Sequence, residues 1–138
     1  MDTRVILYHK TPTSGRTQFL KFSHGGVCGP EPLPLPAELM PQPEENTLTL
    51  HHAQLINNVA DTLGLAQDLL EPETDFHEWV DVVGGPVQVF LLKFKGMDPP
   101  FKLAQQFGGA FIELSAARGI GSVELELLRS AYECVMEG

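Results

Sequence analysis

The sequence predicts a single α+β domain, residues 1–138, with an antiparallel or mixed sheet of about five strands and two main helices packed mostly on one face. Three observations predict it. Short β-branched and aromatic runs alternate in polarity with a period of two, two longer segments repeat their apolar residues at helical spacing, and 138 residues suffice for one core.

The elements follow in order. Residues 4–9 and 17–22 are rich in strand formers, and Thr11-Pro12-Thr13-Ser14-Gly15-Arg16 between them is turn chemistry, so a hairpin opens the chain. A proline-rich loop follows over residues 25–45, with prolines at 30, 32, 34, 36, 41 and 43. Each removes a backbone donor and favours extended geometry, which excludes a helix or a central strand. Thr47 to Leu50 alternates like a strand, but a helix from about residue 50 accounts better for Ala53, Ile56, Val59, Ala60 and Leu63 on one side. Gly64 is placed to end that helix, and residues 65–70 extend it by a turn or two before Pro72.

Asp75 to Val83 alternates, with Phe76, Val80 and Val82 on one face and Asp75, His77, Trp79 and Asp81 on the other. Strict alternation also puts Glu78 on the apolar face, where a carboxylate needs a partner or a route to water. After Gly84-Gly85-Pro86, residues 87–94 are apolar on both faces, as a strand covered on two sides would be, and the two strands make an antiparallel hairpin. Asp98-Pro99-Pro100 starts a short helix to Gln106, and Ala110 to Leu114 is one more strand. Ser122 caps a last helix with Glu124 in its first turn, and Leu125, Leu128, Ala131, Tyr132 and Val135 form its buried stripe.

The charges are distributed unevenly. Residues 1–21 hold four basic residues and one acidic, 22–92 hold eleven acidic residues and no lysine or arginine, and 93–138 hold five basic and six acidic. A net charge of −9 repels phosphate backbones, which excludes generic nucleic-acid binding. No apolar run is long enough to span a bilayer, and Cys28 and Cys134 are too few for a disulfide framework, so a cytoplasmic chain with no membrane association is expected.

No motif assigns a chemistry, so whether the chain is an enzyme stays open and no cofactor is expected. The first reading is a small non-catalytic interaction protein, meeting a basic protein partner or a second copy of itself through its acidic middle, Trp79 and the leucines of the proline-rich loop, Leu33 and Leu35. The same leucines are also placed to cover the domain's own sheet. The alternative is a small enzyme or a ligand- or metal-binding protein with a site near His24, Cys28 and His77. There His24 would activate the Cys28 thiol. Asp75, His77 and Asp81 would converge on a divalent ion from one strand face. Ser14, Gly15, Arg16 and Thr17 form a further weak anion-binding candidate, better explained as a hairpin turn.

Overall fold

In a computed structural model, which describes residues 2–42, 52–117 and 119–137, the chain builds a mixed seven-stranded sheet with helices on both faces. The first hairpin forms as expected, from β1 (Asp2–Lys10) and β2 (Thr17–Lys21), with Tyr8 opposite Phe19. The proline-rich segment runs extended into a short edge strand, β3 (Ala37–Met40), whose four residues contain no proline. Helix α1 (His52–Leu63) follows; the alternating residues 47–50 lie outside the described part.

Residues 67–69 make one turn of 3₁₀ helix, and the chain then enters β4 (Leu70–Pro72) rather than extending α1. Pro72 is tolerated because it ends the strand. The second hairpin pairs β5 (Glu78–Val82) with β6 (Gly85–Phe94) through a turn in which Gly84 and Gly85 take φ values of +111° and +129°, open to glycine but strained for other residues. Helix α2 (Phe101–Gln106), β7 (Ala110–Ile112) and helix α3 (Ser122–Glu137) complete the chain.

The strand order is β3-β5-β6-β1-β2-β7. At its centre β1 and β6 run parallel, in register from Asp2 with Val87 to Tyr8 with Lys93. The far side of β6 is shared along its length, β5 pairing with its first half and β4 with its last residues.

Because both central strands are apolar on both sides, alternate residues feed two cores. Ile6, Tyr8, Val87, Val89 and Leu91 pack with Leu127, Leu128, Ala131 and Val135 of α3. Val5, Leu7, Phe90, Leu92 and Phe94 pack with Leu55 and Val59 of α1. The helices therefore sit on opposite faces, whereas the sequence suggested that they share one. The apolar character of residues 87–94 on both faces already required cover on both sides. Among the described residues no helix is long and apolar enough to cross a membrane.

Leu91 and Leu92 face opposite cores and are 1% and 0% exposed. Leu91→Ala and Leu92→Ala should each cost about 2–5 kcal/mol in chemical denaturation. A near-neutral effect of either would mean that its face is not covered.

Candidate functional site

The site is built where the β2–β3 connection meets the start of α3. After β2 the chain turns at Ser23–Gly26: the Phe22 amide donates to the Gly26 carbonyl at 2.8 Å, and the Gly25 amide donates to the Phe22 carbonyl at 2.9 Å. Gly25 takes φ +93°. The loop then crosses the edge of β1, where Val5 and Gly29 exchange both backbone hydrogen bonds. Further on, Arg4, only 6% exposed, directs Nε and Nη2 onto the Pro32 carbonyl at 3.3 and 3.2 Å. These bonds lay the strap Pro30–Pro36 against the sheet with Leu33 in the core, while Leu35 stands 81% exposed.

Glu124, in the first turn of α3, ties the helix to this loop. Its Oε1 accepts from the backbone amides of Val27 at 3.0 Å and Cys28 at 2.9 Å. Gly26 permits the approach, since a Cβ there would stand 2.6 Å from the same oxygen.

Between the loop, the strap and the start of α3 lies a cleft of about 580 Å³, a size suited to a small-molecule ligand. Pro32, Leu33, Leu35 and Pro36 form one mainly apolar wall, with Ile120 and Val123 opposite. His24 lines its end, its ring stacked on Phe22 with centroids 5.6 Å apart and planes within 9°. The Gly26 amide donates to His24 Nδ1 at 3.2 Å, so that nitrogen is unprotonated and Nε2–H is the donor left to the neutral ring.

Neither a family model nor a curated protein matches this sequence. Its fold is shared with an Ap4A hydrolase. That crystal structure, from C. elegans, superimposes with a TM-score of 0.56 at 20% sequence identity, over 95% of this chain and 94% of the other.

The likeness to an enzyme over nearly the full length corrects the expectation of a non-catalytic interaction protein, and the residues given to that role do not make a surface. Trp79 is 3% exposed, on an interior strand in register with Met40 of β3 and Gln88 of β6. Leu33 is 7% exposed and belongs to the core, and only Leu35 remains outside.

The structure also separates the residues of the alternative. His24 lines the cleft beside α3, while His77 lines another of about 460 Å³ with Asp75, Glu78, Ser130, Glu133 and Cys134. Cys28 is 0% exposed, and burial, reinforced by the Glu124 carboxylate, pushes its thiol well above its ordinary range. That is the opposite of an activated nucleophile. Among the described residues no three His, Cys, Asp or Glu side chains are grouped to hold a metal ion, so Asp75, His77 and Asp81 form no such set. Arg16 of the first turn pairs with Glu113.

Glu78 does face the α3 core, as strict alternation requires, and accepts from the Ser130 hydroxyl at 2.8 Å. The sequence reading missed the second role of Glu124, which it placed only against the helix dipole. The signal was a glycine, Gly26, in a loop that must lie close to another element.

The raised thiol has a consequence at alkaline pH. The folded state holds the Cys28 proton more tightly than the unfolded chain, so its contribution is complete below the ordinary thiol pKa and is lost as pH rises above it. Tyr8 behaves likewise: its pKa is raised far above the ordinary phenol value by burial and by the hydroxyl's 2.5 Å hydrogen bond to Glu73. Stability should therefore fall from about pH 9 upward and more steeply above about pH 10. Cys28→Ala should remove the first part of the decline and Tyr8→Phe the second, as read by denaturation at each pH. An unchanged decline in both variants would refute the assignment.

Proposed function

We propose that this chain is a small hydrolase that seats a nucleotide-like substrate in the cleft beside α3. The observation that carries the reading is the cleft itself, where loop, strap and helix start converge on about 580 Å³ of mainly apolar space edged by an imidazole. A small-molecule enzyme needs that combination of apolar walls with few placed polar groups. The shared fold supports the choice of reaction, and the name of the fold neighbour supplies the first substrate to try, Ap4A, in which two adenosines are joined by a chain of four phosphates.

In this reading Nε2–H of His24 donates a hydrogen bond to the base of the bound nucleotide while the leucines and prolines of the strap wall off one side of the bound molecule. Cys28 takes no part. With a net charge of −9, the chain repels a bare polyphosphate, so the substrate is expected to arrive as its complex with a divalent cation.

The test is incubation of the purified chain with Ap4A, ATP and ADP, with and without magnesium, and chromatographic separation of products. Turnover of at least one nucleotide is expected, stronger with magnesium. Leu35→Glu, at an exposed position whose change spares the core, should lower kcat/KM about tenfold or more by placing a charge in the apolar wall. No turnover at high enzyme concentration, or turnover that Leu35→Glu leaves unaltered, would overturn the proposal.

A further inference from the structure

Two successive backbone amides that converge on one point form an anion cradle. Those of Val27 and Cys28 do so here, and the chain fills the cradle itself with the Glu124 carboxylate at 3.0 and 2.9 Å. The absence of a Cβ at Gly26 leaves room for the carboxylate. Glu124 also lines the cleft, so its carboxylate puts a negative charge on the cleft wall while its Oε1 holds the two buried amides. No lysine or arginine stands among the described residues that line it.

What the cleft does offer is a ring platform and apolar walls. His24 lies parallel to Phe22 beneath it, and the neutral imidazole can stack on a further flat ring and give it one hydrogen bond from Nε2. Leu33, Leu35, Ile120 and Val123 line the same cleft with apolar side chains.

From this we infer that Glu124 is a specificity-determining residue: the cleft takes the uncharged, flat part of a ligand, such as a nucleoside, and turns away phosphate, which must lie outside it. The inference rests on the proposed use of this cleft as the ligand site. Its test is a binding measurement, independent of turnover.

Adenosine, AMP and inorganic phosphate are titrated against the full chain, followed by calorimetry and by the ring signals of His24 in NMR spectra. Adenosine should bind with a shift of the His24 signals, AMP about tenfold or more weakly, and phosphate not at all at millimolar concentration. Glu124→Gln keeps an oxygen for the two amides and removes the charge, so the preference for adenosine over AMP should shrink about tenfold. In the unaltered chain, rising salt should strengthen AMP binding while leaving adenosine unchanged, because screening weakens repulsion. That arm holds even where the variant folds poorly.

Equal affinity for adenosine and AMP in the unaltered chain, or a preference that neither Glu124→Gln nor salt alters, would overturn the role of Glu124 while leaving the cleft as the ligand site. Adenosine binding that neither shifts His24 nor responds to Leu35→Glu would remove the cleft, and with it both proposals.

Discussion

The parallel pairing of β1 with β6 is the constraint from which the rest of the molecule follows. Seven residues of one strand lie in register with seven of the other, and the pair is apolar on both sides. A two-sided apolar ribbon in water must be covered twice. The two amphipathic helices supply that cover, one on each face, and the remaining strands extend the sheet from this centre. Antiparallel hairpins lie on either side of it, from β1 to β2 and from β5 to β6, and longer connections carry the chain across the sheet. One of these is the strap that walls the cleft.

The cleft owes its form to hydrogen bonds that reach across the sequence. Arg4 of the central strand fixes the carbonyl of Pro32, and Glu124 of the last helix fixes the amides of Val27 and Cys28. Both donor–acceptor sets include a charged group in a largely dry setting, where such bonds are stronger than neutral ones. They hold a segment without regular structure against two elements that have it, which is how a loop comes to present side chains as reproducibly as a strand. Gly26 and Gly29 belong to the same device, since a Cβ at either would overlap a neighbour, the Glu124 carboxylate or the Phe22 ring.

Much of the fold was legible in the sequence because it follows from periodicity. The hairpins, α1 and most of the stripe of α3 follow from a period of two or of 3.6, although the fully buried Leu127 lies outside the expected stripe. The placement of Trp79 did not, because alternation assigns a residue to a face and says nothing about whether that face is covered by the rest of the chain. β4 was hidden for a related reason: three residues are too few to show a period, and only the open edge at the end of β6 gives them a partner. Of the candidate site, His24, Leu33 and Leu35 were visible as residues of a glycine- and proline-rich stretch. Their gathering with the start of α3, about 90 positions further on, depends on long-range contacts that local pattern does not encode. The chemistry of Cys28 was no more legible: its glycine-flanked loop and the neighbouring His24 admit a thiol on either side of the surface, and the bridge between Val5 and Gly29 draws it into the core.

The single anchor of the strap at Pro32 leaves its next residues in an unusual position. Leu33 is held inside and Ala37 is held by the sheet, while Pro34 between them is half-buried and Leu35 and Pro36 are exposed. Substitution at the two exposed positions can reshape the mouth of the cleft at little cost to folding. A scaffold with one such replaceable tile is suited to acquiring new ligands by small steps.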